Sequence, residues 1–471
     1  MRFGAIDQGT TSTRALALDE KGDLQVVHAV EHAQIYPRPG WVEHDPEQLI
    51  RNIRACAEAL GRVDAIGIDN QGESCLAWDA QTKRALSPVI VWQDNRTAER
   101  ISQLKAQGAE QETLTRAGLP LDPYFSAAKL AWIIGHIPAA QAALKRGTLR
   151  LGTSDAFFLD RLTGQFKSDV STASRTSLMN LDSLGWDNEL CALFGVPIET
   201  LPEIVPTTGD FGSLETTSGM VPVSASVVDQ QAALYGFGCE SRGQAKITFG
   251  TGAFALMNTG GTLFRKPEQG LLPTVAWQLH GQGAVYALDG GVFSASAALN
   301  WAKSLGLFDD FAQINRFETG AAIDRGLAFV PALTGLGCPH WDTGARGLWL
   351  GLSLEHGRMD MVQSVLEGVA LRAAQVIRAM DDCLPLSGAL PIDGGMSRNA
   401  YFNGFLAEVL GREIRPSTFP EQTGFGTLKL AAGFHGHTVP DLPGFGSVHP
   451  NRGRADALAR FDQACGMSRG W

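Results

Sequence analysis

The sequence predicts an α/β protein with two similar domains that face each other across a cleft, and three observations support this. A predicted β-hairpin opens the chain, with apolar runs at Phe3–Ile6 and Ala15–Leu18 around a polar turn. A second hairpin of the same design begins the second half, with runs at Ala245–Phe249 and Ala253–Met257. Between the hairpins, further compact apolar runs alternate with helical patterns, as expected for α/β domains.

The first turn is rich in hydrogen-bond donors and lies next to a carboxylate. Gly9 lets the backbone approach a bulky ligand, while Thr10, Thr11 and Ser12 offer backbone N–H groups and hydroxyls. These groups suit a phosphate chain, and Asp7 suits the Mg²⁺ ion that accompanies a polyphosphate. The alternative is a plain hairpin turn of small polar residues, and this stretch alone does not separate the two.

The second hairpin favours the phosphate interpretation. Its turn is Gly250, Thr251 and Gly252, so each half of the chain carries a small, donor-rich turn in the same context. Two such turns on opposite sides of a cleft can hold one phosphate chain between them. A glycine-rich stretch at Gly236–Gly243 marks the boundary, and we expect domains at residues 1–238 and 239–471.

Composition excludes several classes of protein. The chain has 471 residues, 44% of them hydrophobic, which is enough for large cores and argues against disorder. Its net charge of −10 argues against nucleic acid as a partner. Seven scattered cysteines without a C-x-x-C pair are typical of a reducing compartment. With no leader and no apolar run near the ~20 residues of a membrane span, we expect a cytoplasmic protein without membrane association.

The elements after the first hairpin have clear signals. Leu24–Val30 reads as a third strand. Asp45 is a good N-cap with Pro46 at the first helical position, which predicts a helix to about Leu60. Val63–Ile68 is a compact apolar run that fits a buried parallel strand.

Three strands deliver polar or aromatic side chains at their carboxyl ends, where open α/β sheets bind ligands. Glu73 follows the run Val63–Ile68, although a solvated loop acid is the alternative. Trp92 follows the short strand predicted at Val89–Val91. Val221–Val228 is again strand-like and leads to Asp229; many such Asp residues merely cap a helix.

In the second half, Val362–Met380 is the clearest helix, because apolar residues recur at three- and four-residue steps. Gly394 and Gly395 precede another helix, predicted from about Asn399 to Leu410. Such a Gly-Gly turn lets a nucleoside approach the backbone, but taken alone it is more often structural.

These motifs together resemble one family. One family signature is matched by the segment Asp122–His136, at Tyr124, Ser126, Lys129, Leu130 and Trp132, and only Gly135 departs from it. A catalytic motif of the same family is matched by Asp229-Gln230-Gln231. With the paired turns, they make the chain similar to the FGGY carbohydrate kinases of the sugar kinase, actin and heat-shock chaperone superfamily, and within that family to its glycerol kinase branch. The resemblance implies two ribonuclease-H-like domains with ATP in the cleft between them.

The resemblance also implies a nucleotide site. Phosphate contacts fall on Thr10, Thr11, Ser12, Arg14, Gly250, Thr251 and Gly252, and adenosine contacts on Gly394, Gly395 and Asn399. Ser296 and Asn300 align with a nucleotide-contacting Gly and Gln whose identities are not retained. Asp7 is expected to hold Mg²⁺, through water. Arg14 has an alternative as a surface strand residue.

The implied substrate shell combines polar and aromatic groups, with Asp229 as the base that deprotonates the attacking hydroxyl. Its members are Glu73, Trp92, Tyr124, Asp229, Gln230 and Phe254. Carboxylate and amide oxygens fix hydroxyl groups, and rings cover the carbon backbone. Each aromatic residue alone would be typical of an ordinary core, but six matches in sequence order favour a polyol site.

Two residues depart from the family pattern. Gly72 stands where the family has an Arg that binds a terminal hydroxyl of glycerol, and Val228 stands where it has a Gly. Losing the Arg removes a donor and opens one end of the pocket, so we expect a polyol longer than glycerol as the substrate. The segment 152–186, which includes Ser171–Arg175, is interpreted as structural.

Several alternatives stay open. Within the class, these are a glycerol kinase proper and a kinase for a ketose or another sugar. Outside it stand a non-kinase ATPase of the actin and chaperone superfamily and a catalytically inactive sugar sensor. Relatives assemble as dimers or tetramers, which leaves a homodimer and a homotetramer open.

Overall fold

The computed structural model describes residues 1–18, 22–442 and 444–469. Strands and helices alternate along both halves of the chain. The strands are β1 (Phe3–Gln8), β2 (Ser12–Leu18), β3 (Leu24–Glu31), β4 (Glu43–His44), β5 (Ala65–Asn70), β6 (Cys75–Asp79), β7 (Val89–Ile90), β8 (Leu149–Thr153), β9 (Lys167–Asp169), β10 (Met179–Asn180), β11 (Gly185–Trp186), β12 (Glu203–Val205), β13 (Ser213–Thr216), β14 (Gly219–Val228), β15 (Ala245–Phe249), β16 (Ala253–Gly260), β17 (Leu272–Gln278), β18 (Ala284–Val292), β19 (Ala328–Val330), β20 (Leu348–Leu350), β21 (Leu390–Gly394) and β22 (Ile414–Pro416).

The helices connect and cover these strands. They are α1 (Pro46–Leu60), α2 (Ala98–Ala106), α3 (Glu110–Arg116), α4 (Ser126–His136), α5 (Pro138–Arg146), α6 (Ser154–Leu162), α7 (Val170–Ala173), α8 (Asn188–Phe194), α9 (Asp229–Gly236), α10 (Ser296–Ser304), α11 (Arg358–Cys383), α12 (Ala400–Leu410), α13 (Gln422–Phe434) and α14 (Ala455–Ser468). Across the described ranges, none of these helices combines the length and apolar character needed to span a bilayer.

Two six-stranded mixed sheets share one strand plan. The first has the order β13-β14-β5-β1-β2-β3, and the second has the order β17-β18-β16-β15-β21-β22. In each, the opening hairpin (β1 and β2, or β15 and β16) is antiparallel, and its first strand also pairs in parallel with a later strand, β5 or β21. The duplicated α/β architecture predicted from the two hairpins is confirmed.

The first hairpin is longer than the apolar runs indicate. Asp7 pairs with Arg14 and Gln8 pairs with Thr13, so the ladder continues up to the turn. The apolar runs predict that Asp7 lies in the turn, whereas the structure has it in β1, because backbone pairing is indifferent to the polarity of a side chain at a strand end. The carboxylate is therefore held on a paired strand.

The helix signals correspond closely to the structure. Asp45 caps α1, its Oδ1 accepting the backbone N–H of Glu47 at 3.0 Å, and Pro46 is the first helical residue. Asn399 caps α12, its Oδ1 accepting the N–H of Phe402 at 2.8 Å. Helix α11 extends several residues beyond the predicted range at both ends, since its polar ends lack the apolar repeat.

Helix α13, from the second half of the chain, packs on the first sheet and crosses α9. Phe425 and Leu428 join a buried cluster with Phe3 and Leu16. At the crossing, a Cβ on Gly426 would come 1.9 Å from the backbone oxygen of Ala232. The crossing therefore joins the two halves of the chain at α9, the helix that begins with Asp229. The domain boundary at residue 238 stays a prediction.

Candidate active site

A narrow cavity lies at the carboxyl ends of β5 and β14 and reaches the strands of the second sheet. Five of the predicted substrate residues line it: Glu73, Tyr124, Asp229, Gln230 and Phe254. They come from separate loops and strands of both halves, which the fold brings together. The cavity is enclosed and contains both charged and aromatic side chains, as expected for a small polar ligand.

Asp229 begins α9, directly after β14 ends. The backbone N–H of Val228 donates to the hydroxyl of Ser171 at 3.1 Å, and Asp229 Oδ1 accepts the N–H of Gln230 at 2.7 Å. Burial and, to a smaller extent, the negative charge of Glu73 raise the pKa of the Asp229 carboxyl to about 7. A carboxyl with a pKa near neutrality is suited to general base catalysis.

The neighbouring amide is held by a buried cation. Lys246 lies in β15 and is completely buried. Its ammonium donates to Gln230 Oε1 at 2.6 Å and to Thr248 Oγ1 at 3.0 Å. The contact fixes the amide oxygen, so the NH₂ group of Gln230 stays available as a donor. The positive charge of Lys246 also lowers the pKa of Asp229, against the larger effect of burial.

Glu73 is part of a buried ion-pair network. Arg175 Nε donates to Glu73 Oε1 at 2.7 Å, and Arg175 Nη2 lies 3.0 Å from Asp289 Oδ2. Both Arg175 and Asp289 line the cavity. Glu73 itself has a left-handed backbone conformation, with φ at 58°, which is uncommon for a residue other than glycine and concentrates at functional sites.

Three aromatic rings form one wall. The Trp92 ring centroid lies 5.6 Å from that of Tyr124 and 6.3 Å from that of Phe254, both in edge-to-face geometry. The buried ammonium of Lys129 donates to the backbone oxygens of Tyr124 and Trp92, at 2.5 and 3.3 Å. Trp92 is outside the cavity lining, and its ring supports the two rings that do face the cavity.

The two departures from the family pattern touch each other. A Cβ placed on Gly72 would lie 2.8 Å from Cγ2 of Val228. The Val228 side chain therefore occupies the place that the first atom of any side chain at position 72 would need. Gly72 does not line the cavity, and the space beside it is filled rather than open.

The first turn connects to the aromatic wall. Trp92 Nε1 donates to the hydroxyl of Thr10 at 3.2 Å, and ring nitrogen Nε2 of His32 lies 3.0 Å from the backbone oxygen of Thr10. Thr11 is exposed and Ser12 half-buried. The turn thus has free donors on its outer side and fixed contacts on its inner side.

Asp7 and Asp69 form a close carboxyl pair at the ends of β1 and β5, where they are register partners. Burial raises the pKa of both groups, and the negative charge of Asp7 raises that of Asp69 further. Asp69 Oδ2 accepts the hydroxyl of Thr427 at 2.7 Å, while its Oδ1 is buried without a partner. A divalent cation would relieve this repulsion, so the pair fits Mg²⁺.

The second turn packs against α10. Backbone N–H groups of Ala295 and Ser296 donate to the oxygens of Thr251 and Gly250, at 2.9 and 3.1 Å. Gly252 has no room for a side chain, since a Cβ would lie 2.6 Å from the backbone oxygen of Val292. Ser296 is therefore adjacent to this turn, whereas Asn300 lies one turn further along α10 and is exposed.

The predicted adenosine residues are near this turn. Gly394, with φ at 88°, pairs with Phe249 immediately before the turn, and a Cβ there would lie 2.1 Å from the Phe249 oxygen. Gly395 has open space around it. Asn399 has its oxygen in the α12 cap and its amide on the backbone oxygen of Ile314 at 2.9 Å, so its side chain is already paired.

Arg14 projects from β2 towards the second half of the chain. Its Nη1 forms a salt bridge with Glu421 Oε2 at 2.8 Å. Glu421 precedes α13, so the pair joins the phosphate turn of one half to a helix of the other. Arg14 remains partly exposed, which allows its other guanidinium nitrogens to meet a ligand.

Sequence reasoning missed four charged residues of the site. They are Asp69, Arg175, Lys246 and Asp289. The segment with Arg175 was interpreted as structural, yet its guanidinium lies in the cavity. The sequence did offer a signal for Asp69, Lys246 and Asp289: each is a charged residue within a largely apolar strand. Such residues are rarely buried unless another group pairs with them.

Comparisons with known proteins agree with this geometry. The model of the N-terminal domain of the FGGY family of carbohydrate kinases matches residues 3–236, and that of the C-terminal domain matches residues 245–433. The chain is 40% identical to glycerol kinase from Thermus brockianus, over 99% of this chain and 96% of that one. It is also 40% identical to glycerol kinase 1 from Pseudomonas aeruginosa, over 92% and 90%.

Solved structures show the same fold. The crystal structure of Plasmodium falciparum glycerol kinase with ADP superposes with a TM-score of 0.91 at 27% identity, covering 99% of this chain and 98% of that one. Xylulose kinase from Rhodospirillum rubrum superposes at 0.85 with 25% identity, covering 99% and 98%. The matched models, the relatives and the two-sheet fold lead to one conclusion: this chain belongs to the FGGY family of carbohydrate kinases, phosphotransferases that act on alcohol groups.

Proposed function

We propose that this enzyme transfers the γ-phosphoryl group of ATP to a terminal hydroxyl of a small polyol. One observation carries the proposal: Asp229, a carboxyl with a pKa near neutrality, lines one cavity with Glu73, Tyr124, Gln230 and Phe254. The cavity provides a base, hydrogen-bonding groups for hydroxyls and rings for a carbon chain, which are the three requirements of polyol phosphorylation.

The reaction needs positioning and one proton transfer. Asp229 accepts the hydroxyl proton as the substrate oxygen bonds to the γ-phosphorus, and the bond to the β,γ-bridging oxygen breaks to release ADP. Glu73 and Gln230 orient the remaining hydroxyls, since both present polar atoms to the cavity. The wall of Tyr124 and Phe254 excludes water, which limits wasteful hydrolysis of ATP.

The two turns suit the phosphate chain. Thr10, Thr11, Ser12 and Arg14 supply donors from the first half, and Gly250, Thr251 and Gly252 supply them from the second. Gly394 and Gly395 provide a bare backbone for adenosine, with Ser296 beside the second turn and Asn300 and Asn399 as outer neighbours. Asp7, with Asp69 beside it, would hold Mg²⁺, which neutralises phosphate charge when bound.

The size of the polyol is the specific part of the proposal. We infer a tetritol or a pentitol as the preferred substrate, because Gly72 lacks the guanidinium that the family pattern places on glycerol. The relatives named above are glycerol kinases, so glycerol is the competing substrate. Val228 fills the space beside Gly72, and extra room for a longer chain must therefore come from elsewhere in the cavity.

A coupled ADP-release screen tests the proposal directly. Purified protein with MgATP is presented with three- to six-carbon polyols and with ketoses, and kcat/KM is measured for each. We expect ADP release that depends on a polyol, with a four- or five-carbon polyol at least tenfold above glycerol. Glycerol leading by tenfold would contradict the longer polyol, and ADP release independent of any acceptor would indicate an ATPase instead.

A further inference from the structure

The ion-pair network around Arg175 leaves two polar atoms unused. The guanidinium uses Nε for Glu73 and Nη2 for Asp289. The remaining nitrogen, Nη1 of Arg175, is buried without a hydrogen-bond partner, and so is Oδ1 of Asp289. Arg175 is 4% exposed and Asp289 is 8% exposed. A buried donor and a buried acceptor left unpaired at the same place are costly to the fold and indicate a missing ligand.

Both residues face the cavity that contains the base. Arg175 and Asp289 line the same cavity as Asp229, and Glu73 links the two groups, since it pairs with Arg175 and raises the pKa of Asp229. The guanidinium carbon lies 5.9 Å from the Tyr124 ring centroid and 5.6 Å from that of Phe125, which holds it in place. The unused pair therefore belongs to the substrate cavity and is separate from the base.

The charges around Nη1 of Arg175 and Oδ1 of Asp289 limit the chemical groups that these two atoms can bind. One guanidinium stands between two carboxylates, so its charge is already balanced and a sugar acid or a phosphate would gain little from it. A carbonyl oxygen would accept from Arg175 but would leave Asp289 without a donor. A hydroxyl group both accepts and donates, so it has the chemistry to pair with Nη1 of Arg175 and with Oδ1 of Asp289.

We propose that Arg175 Nη1 and Asp289 Oδ1 form a second hydroxyl subsite, which holds a hydroxyl of the polyol remote from the one phosphorylated. The inference rests on the proposed function and names the determinant of its specificity. Arg175 comes from the loop after α7 and supplies the guanidinium that is missing at Gly72. Because Arg175 and Asp289 line the cavity whereas Gly72 does not, the subsite selects a polyol with a hydroxyl that glycerol does not have.

The test compares the native protein with a variant at Asp289, using polyols of three, four and five carbons. Asp289→Asn keeps the size of the side chain and replaces one acceptor with a donor. We expect kcat/KM for erythritol and xylitol to fall at least tenfold more than kcat/KM for glycerol, mainly through KM. Equal losses for all three polyols, or no loss, would overturn the subsite. Asp160→Asn is the matched control, since Asp160 is equally buried but pairs with Arg150 and Lys83 outside the cavity.

A ligand-side measurement keeps the test valid even if the variant folds poorly. 1,2,4-Butanetriol is erythritol without one internal hydroxyl. The native protein should bind it at least tenfold more weakly than erythritol by calorimetry without nucleotide, and Asp289→Asn should bind both equally. Equal affinity of the native protein for both ligands and for glycerol would refute the subsite. If the native protein binds erythritol selectively but releases no ADP, the subsite stands and the proposed kinase function fails.

Discussion

Cγ2 of Val228 lies 2.8 Å from the point where a Cβ on Gly72 would stand. The two residues are the two departures from the family pattern in the substrate region, and they are in contact. A large side chain at 72 requires a small residue at 228, and a β-branched residue at 228 requires glycine at 72. The side chain that fits at position 72 therefore depends on the side chain at position 228.

This contact predicts a non-additive pair of substitutions. Gly72→Arg alone forces a collision with Val228, so we expect it to lower both the melting temperature and kcat/KM for every polyol. Adding Val228→Gly makes room for the guanidinium and should restore stability and raise kcat/KM for glycerol relative to erythritol. Thermal unfolding and kinetics of both single variants and the double variant measure the coupling. Strictly additive effects would contradict the contact.

The second prediction concerns the base. Asp229→Asn removes the proton acceptor, and we expect kcat to fall by about 10²–10⁴-fold. Binding of ATP, measured by calorimetry, should stay within twofold, because the phosphates are expected at the two turns. A variant that keeps more than a few per cent of the activity would remove Asp229 from the mechanism.

The third prediction is a pH dependence. Asp229 accepts a proton only as a carboxylate, so kcat/KM should rise with pH and level off above its pKa of about 7. Glu73 raises this pKa through its negative charge. Glu73→Gln should therefore move the midpoint to lower pH, apart from any loss in absolute rate. An unchanged midpoint in Glu73→Gln would show that the group that titrates in kcat/KM is not Asp229.

The fourth prediction concerns Arg14. We expect the Arg14 guanidinium to bind a phosphate of ATP in addition to its salt bridge with Glu421. Arg14→Ala should then raise the KM for ATP about tenfold and leave the KM for the polyol within twofold. Arg265→Ala is the control, because Arg265 is also a partly exposed arginine in an ion pair, with Asp182, and does not line the cavity. Loss of stability without a change in the KM for ATP would reduce Arg14 to a salt-bridge partner.

The fifth prediction tests the crossing of α9 and α13. Gly426→Ala places a Cβ 1.9 Å from the backbone oxygen of Ala232, so the helices must separate at a cost of about 1–3 kcal/mol. Gly433→Ala, in the same helix with no atom within 4 Å of its Cβ, should leave stability equal or slightly higher. Chemical denaturation of both variants measures the difference. Because α9 begins with Asp229, Gly426→Ala should also lower kcat.

Much of the fold followed from local signals. The two hairpins predicted the duplicated sheets, and the cap at Asp45 and the Gly-Gly turn before Asn399 predicted helix starts, because these patterns depend on residues close in sequence. The resemblance to the carbohydrate kinases implied one site for Glu73, Tyr124, Gln230 and Phe254, and these residues do line one cavity. Backbone pairing and helix capping are short-range, so the sequence alone carries them.

The charged network was decided only by tertiary structure. Arg175 and Asp289 are more than one hundred residues apart, and nothing near either residue signals that they meet beside Glu73. The contact between Gly72 and Val228 has the same origin, since parallel β5 and β14 bring their carboxyl ends together. A buried charge is stable only where the fold supplies its partners, and those partners come from whichever strands the sheet places side by side.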